Sequence, residues 1–241
     1  MKFLKKLIFI LILVILITGI GVGLVFGVPG YNMYKDALDK EKIDEKVASI
    51  EKKKNYTEFA DLPETYVNAV IATEDHRFYE HSGIDFISVV RAIYNDIKAK
   101  EFVEGGSTIS QQIAKNIYFT QEKTGKRKVA EILMASKLDN SLSKEKIFEL
   151  YANTSYFGDG YYTVKDACKG YFKKKLREMT DYECIMLAGI PNAPSVYAPT
   201  KNLKLTKKRA EHVIRKMVEN KYLTQEKADE ILKEGESYAI H

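Results

Sequence analysis

From Leu7 to Val28 the chain carries no charge, and this apolar run is long enough to cross a bilayer as a single helix. Lys2, Lys5 and Lys6 stand before it. By the positive-inside rule they hold the N-terminus in the cytoplasm and leave the remainder outside. A cleaved signal peptide has a shorter apolar region and a small-residue cleavage site, and the sequence after this run, VPGYNMY, makes a poor one. Residues 1–28 therefore read as a cytoplasmic tip and an uncleaved transmembrane signal anchor.

Beyond the span, apolar positions recur at helical intervals. Tyr31, Tyr34 and Leu38, then Ile43, Val47 and Ile50, lie among many charges, so residues 29–60 are expected to form a helical stalk. The remaining segment, 61–241, holds the main domain. Its first helix starts near Asp61, the expected N-cap, and Pro63. Val67, Val70 and Ile71 share one face of it, and Glu74 continues that face at i+7 from Val67. Phe86, Ile87, Val90, Tyr94 and Ile97 define a second amphipathic helix, and Ile147, Leu150 and Tyr151 a third, capped by Ser143. Two closing helices, near 204–219 and 224–234, read as structural. Strand-like alternation is scarce, so the fold class is mostly α.

A hydrophobic content of 45% over 241 residues supports one core of ordinary size. The net charge is +5, but three of the 38 basic residues precede the span while all 33 acidic ones follow it, leaving only +2 outside. That balance excludes a general nucleic-acid binder. Cys168 and Cys184 sit in helical, apolar contexts that favour buried free thiols, although a location outside the membrane also permits a disulfide. No zinc-type Cys/His spacing occurs, and His76 and His81 lack the i+4 spacing of a helical metal pair.

Candidate chemistry sits in four stretches. In ATEDHRFYEHSGID, residues 72–85, Glu74 ends an apolar stripe, and partial desolvation makes a carboxylate a better base. The competing reading is a helix end paired with Arg77 or His81. In EGGSTISQQIAKN, residues 104–116, Gly105 and Gly106 loosen the backbone and Ser107 or Thr108 caps a helix; free N–H groups at a helix start suit a phosphate. The stretch after it concentrates Lys123, Lys126, Arg127 and Lys128 before Glu131, which adjoins Met134, Ala135 and Leu138 on one helical face. A fourth stretch, AGIPNAPSVYAPT, spans residues 188–200.

The spacing Glu74-Asp75-x-x-Phe78-x-x-His81-x-Gly83 resembles the first signature of the family 51 glycosyltransferases, the peptidoglycan polymerases that occur alone or as a domain of penicillin-binding proteins. The complete GGSTxxQQ, the RKxxE ending in Glu131, the segment SLSKEKIFELYANTSYFGDG and the stretch 188–200 match the later signatures in order, over roughly residues 56–200. The resemblance implies a lysozyme-like fold with two lobes around a cleft. It implies polymerisation of lipid II, with Glu74 as the base and Glu131 orienting the donor. Asp75, Phe78, His81, Gly83, Ser107, Thr108, Gln111, Gln112, Lys115, Asn116, Lys123, Arg127, Lys128, Asn192, Ser195 and Tyr197 are the implied substrate-binding residues. Family members often carry arginine where Lys123 stands, so its phosphate grip is expected to be monodentate. No tightly bound cofactor is implied; a divalent cation, Mg or Mn, at the diphosphate is left open, with its ligands unknown. Implied partners are lipid II, the lipid-linked glycan chain, membrane lipid touched by the segment 84–103, and other wall-synthesis proteins. The implied location is the cell membrane, single-pass.

SLSK at 141–144 and KTG at 123–125 match pieces of the penicillin-binding transpeptidase signature. They stand in the wrong order for that fold, and no Ser-x-Asn accompanies them. Two alternatives remain, a glycan-cleaving enzyme of lysozyme-like fold and a silent scaffold for wall synthesis. Hydrolysis requires a carboxylic acid for the leaving sugar and gains nothing obvious from a cationic cluster.

Overall fold

The structure is a computed structural model that describes residues 2–99, 106–120 and 122–239. Helix α1 (Lys2–Val22) passes through a π-helical turn (Gly23–Gly27) into α2 (Val28–Lys40). The rod is apolar and long enough over its first part to cross a membrane, by length and composition. Next come α3 (Ile43–Glu51), a 3-10 turn (Phe59–Asp61), α4 (Glu64–Glu74), α5 (Phe86–Ala99), α6 (Ile109–Tyr118), α7 (Gly125–Ser141), α8 (Lys144–Thr154) and α9 (Val164–Phe172). After a second 3-10 turn (Leu176–Glu178), α10 (Asp181–Gly189), α11 (Pro194–Tyr197), α12 (Pro199–Glu219) and α13 (Gln225–Ser237) complete the chain. The described residues contain no strand, as the periodicity leads one to expect.

Helices α2, α6, α7 and α8 pack into one group, and α4, α10, α12 and α13 into another, with α9 touching both α8 and α10. The groups meet on an aromatic cluster in which Phe148 of α8 lies edge-on to Tyr66 of α4 and to Phe78. All three rings are fully buried. This two-part arrangement, open on one side, is the two-lobed shape expected of the domain. Cys168 and Cys184 are free buried thiols.

Two local expectations are corrected. Asp61 is not the cap of α4: it lies in the 3-10 turn and pairs with Arg177, while Pro63 occupies the N-cap position in extended conformation. Proline keeps the residue before it out of helix, so α4 cannot start earlier. Nor do residues 29–60 stand apart as a stalk. Ile43, Val47 and Ile50 are buried in the same core as the rest of the domain. Gly30 of α2 presses on α7, where a Cβ would come within 2.7 Å of the Lys126 carbonyl oxygen and closer still to Val129. The charged positions supply the outer faces of these helices, and the sparse apolar ones are enough to dock them.

Glu149 of α8 fastens the segment before α4. It accepts from the Tyr56 hydroxyl, the Lys146 ammonium and, at 2.7 Å, the backbone N–H of Phe59. Burial opposes its charge, but these donors outweigh burial and hold the carboxyl below its ordinary range. A depressed folded-state value means that the stabilisation is present above the unfolded pKa and is lost as pH falls through the folded one. Glu149→Gln is therefore expected to lower stability at neutral pH by about 1.5–3 kcal/mol and to flatten the acid side of a Tm-versus-pH curve. Parallel acid limbs for the two proteins would show that Glu149 is not the group responsible.

Candidate active site

A cleft of about 1100 Å³ opens between the two helix groups. Helix α4 delivers Glu74 to it because Tyr66, Val67, Ala69, Val70, Ile71 and Ala72 are all committed to the core, leaving the last residue at the open end. Asn220, just past α12, donates to the Ala72 carbonyl at 3.1 Å and pins that end. Glu74 is held on both oxygens. Gln112 Nε2 of α6 donates to Oε2 at 2.9 Å, and Arg209 Nη2 of α12 lies 3.2 Å from Oε1. Neither Arg77 nor His81 is its partner: Arg77 pairs with Asp85 and Glu80, and His81 with Asp75. The surroundings of Glu74 are thus polar at its tip and apolar only behind it.

Asp75 is buried and accepts from His81 Nε2 at 2.8 Å and from the N–H of Ile109, the first residue of α6, at 3.0 Å. Most of the N–H groups expected to be free at that helix start are thus taken. Thr108 and Gln111 close a capping box, so the N–H groups of Thr108, Ile109 and Gln111 all have protein acceptors. Cations remain as the anion-holding elements. Lys115 lines the cleft one turn beyond Gln112, and burial pulls its ammonium below the ordinary lysine range, partly offset by the negative charge of Glu131. Lys128 Nζ of α7 reaches the Ser107 hydroxyl at 3.0 Å and Glu131 Oε2 at 3.6 Å. Arg127 also pairs with Glu131, which is buried.

Of the residues picked out in the sequence, Glu74, Asp75, Ser107, Thr108, Gln112, Lys115, Asn192 and Tyr197 line the cleft. Phe78, His81, Gly83 and Gln111 lie beneath it instead. Phe78 is fully buried under the Lys144 ammonium, 4.7 Å from the ring centre. Gly83 has φ +86°, its carbonyl accepts from Thr108 Oγ1 at 2.7 Å, and a Cβ there would meet the α7 backbone at 2.6 Å. Glycine is required at that position. Arg127, Lys128 and Glu131 form a group on α7 beside the cleft, while Lys123 and Ser195 are exposed and Asn116 is half-buried, none of them on its wall. Gly105 and residues 100–103 of the expected lipid-touching segment lie outside the described residues.

Several lining residues were not foreseen. His76 Nε2 lies 3.0 Å from Arg91 Nη1, and burial together with that cation lowers the imidazole's pKa. Helix α12, expected to be structural only, contributes Arg209, His212, Lys216 and Glu219. Burial, with Arg209 nearby, also lowers His212. The signal was present in the spacing: 209, 212, 216 and 219 share a polar face beside the buried stripe of Ala210, Val213, Ile214 and Met217. Periodicity shows that such a face exists but not that it borders a cleft.

Among the described residues no group of three or more His, Cys, Asp or Glu side chains could hold a metal ion. Glu131, the buried carboxylate of α7, has Arg127 and Lys128 as partners. The described side chains by themselves thus offer no ready-made cluster for a cation.

Comparison with known proteins identifies relatives of the chain. The chain is 45% identical over 188 residues to "Penicillin-binding protein 1A" of Neisseria cinerea, a match covering 78% of this chain and 24% of that protein. It is 42% identical over 181 residues to "Penicillin-binding protein 1F" of Bacillus subtilis (strain 168), covering 75% and 25%. The chain thus spans about a quarter of the length of these curated relatives. The crystal structure of penicillin-binding protein 1A from Haemophilus influenzae aligns over 77% of this chain and 18% of its own, with 24% identity and a TM-score of 0.47. The family model described as "Transglycosylase" matches residues 40–218, which include every residue of the cleft wall except Glu219 and Asn220. With most of its length and nearly all of its cleft inside that match, the chain belongs to the transglycosylase family.

Proposed function

We propose that this protein polymerises peptidoglycan glycan chains from lipid II. The 4-hydroxyl of one lipid II displaces undecaprenyl diphosphate from the reducing end of the lipid-linked growing chain, with inversion. The observation that carries the reading is the presence in one cleft of a carboxylate, Glu74, and a cationic group centred on Lys115. A sugar hydroxyl is a weak nucleophile at neutral pH, and Glu74 takes its proton as the new bond forms. The departing diphosphate gains negative charge and needs cations in place of a protonated acid. Lys115 faces it from the wall, with Lys128 and Arg127 behind, and Glu131 acts as their counter-ion and orients them. No step is assigned to a metal. This arrangement favours transfer over hydrolysis of an ordinary glycosidic bond, for which a carboxylic acid would have to protonate a sugar oxygen.

In this reading the three N-terminal lysines stay in the cytoplasm, α1 spans the membrane, and the domain works on the outer surface, where both substrates are anchored by their lipid tails. Helix α5 supports membrane contact. Phe86, Ile87, Val90 and Tyr94 are 71%, 57%, 68% and 64% exposed, whereas an ordinary core-facing helix would bury such a stripe. Other wall-synthesis proteins are natural partners of a membrane-bound polymerase.

The deciding experiment is polymerisation of labelled lipid II by the purified protein and by Glu74→Gln, which keeps the size of the side chain. General-base removal typically costs about 10²–10⁴-fold, so the variant should lose at least about a hundredfold with its melting curve unchanged. Near wild-type polymerisation by the variant would rule Glu74 out as the base.

Lys115→Ala should weaken binding of a diphosphate-bearing lipid by about tenfold or more, the size of one charge-assisted contact. Equal affinity in titrations of both proteins would place Lys115 outside the phosphate site.

A truncated chain lacking residues 1–27 should still bind phospholipid vesicles. Replacing Phe86 and Ile87 with Ser should reduce that binding, since burying each such side chain contributes about 1.5–3 kcal/mol. Because both are exposed in the folded protein, Tm should hardly move. A large fall in Tm, or vesicle binding indifferent to the change, would count against lipid contact by α5.

A further inference from the structure

Arg209 lies 135 residues from Glu74 in the chain and belongs to none of the motifs, yet its guanidinium meets Glu74, the Gly189 carbonyl and the Tyr197 ring. Its Nη2 is 3.2 Å from Glu74 Oε1, and its Nε donates to the carbonyl of Gly189, the last residue of α10, at 3.3 Å. The guanidinium rests over the Tyr197 ring, 5.7 Å from the centre. Both side chains of the pair are largely shielded, Arg209 at 13% and Glu74 at 11% exposure. Position 189 is shaped to the arginine stem: a Cβ there would stand 2.9 Å from Arg209 Cγ.

A guanidinium is a rigid plane, so fixing Nε on a helix-end carbonyl and one face on an aromatic ring determines where Nη2 points. The Gly189 carbonyl also lies at the negative end of α10, a favourable place for a cation. Glu74 sits on the final residue of its own helix, where the backbone leaves the helical path at Asp75 and constrains it least. Gln112 supplies one neutral donor to Oε2, and Arg209 supplies the charged one to Oε1. Each carboxylate oxygen has two acceptor directions, so a donor on each leaves one free on each for an incoming hydroxyl.

We propose that Arg209 is a positioning residue for the reaction: it fixes the carboxylate of Glu74 in the rotamer that receives the acceptor's proton, without contacting either substrate. The proposal rests on Glu74 being the base. Arg209 therefore acts on the chemical step and leaves substrate affinity alone.

The test uses the full chain in detergent with lipid II, measuring kcat and KM separately for the wild type, Glu74→Gln, Arg209→Ala, Arg209→Lys and Gly189→Ala. Misplacing a reacting group by about 1 Å can cost about a hundredfold, and Arg209→Ala should lose on that order in kcat with KM close to the wild-type value. Added guanidinium ion should restore part of that loss, and Arg209→Lys should fall between the two. Gly189→Ala, which keeps the arginine and displaces its stem, should lower kcat in the same way; it also decides the matter if Arg209→Ala fails to fold. Wild-type kcat in Arg209→Ala while Glu74→Gln is inactive would overturn the positioning role and leave the base assignment standing. A loss confined to KM, or a kcat loss that neither guanidinium nor lysine relieves, would overturn it as well. An active Glu74→Gln would remove both assignments together.

Discussion

The buried carboxylate of Asp75 must find donors for its oxygens, and the way it does so sets the geometry of the cleft. It takes His81, at the far side of its own turn, and the N–H of Ile109, at the start of α6. A single side chain thus closes the turn after α4 and locks α6 against it. Thr108 extends the joint by donating to the Gly83 carbonyl, and Gly83 in turn sits tight against the α7 backbone. An unpaired buried carboxylate would be costly, so the turn and the two helices hold one another in a fixed relation. Glu74 at the end of α4 and Lys115 on α6 inherit their relative positions from this joint.

The same joint explains why most of the first motif faces away from the cleft. Phe78 fills the space between the two helix groups, His81 answers Asp75, and Lys144 reaches over Phe78 to the His81 carbonyl at 2.6 Å. A short signature can therefore mark an active site while most of its residues serve the floor beneath. Within the cleft, charge is sorted by helix: Glu74 is flanked by α6 and α12, and Lys115 looks toward the α7 group of Arg127, Lys128 and Glu131.

The N-terminal rod couples the domain to its apolar anchor. Phe26, in the π-helical turn, lies against Gly125, where a Cβ would come within 2.5 Å of its ring, and Gly30 lies against Val129. Two glycines thus let a helix continuous with the anchor approach α7 closely, the same helix that carries Arg127, Lys128 and Glu131. Docking of this kind restricts the tilt of the domain with respect to the anchor, which a free stalk would not.

Periodicity and local chemistry were enough to determine the apolar N-terminal helix, the helical class and the cap at Ser143, and to narrow the cap of α6 to Ser107 or Thr108, because each depends on residues within a turn or two of one another. The motifs likewise carried the family, being local spacings. Tertiary structure alone decided which residues share a wall. The sequence could not show that Arg209 would meet Glu74, that Asp75 would occupy the N-terminus of α6, or that Ile43, Val47 and Ile50 would join the domain core. Such contacts depend on the angles at which buried faces of distant helices pack, and a polar face reads the same in sequence whether it borders bulk water or a cleft.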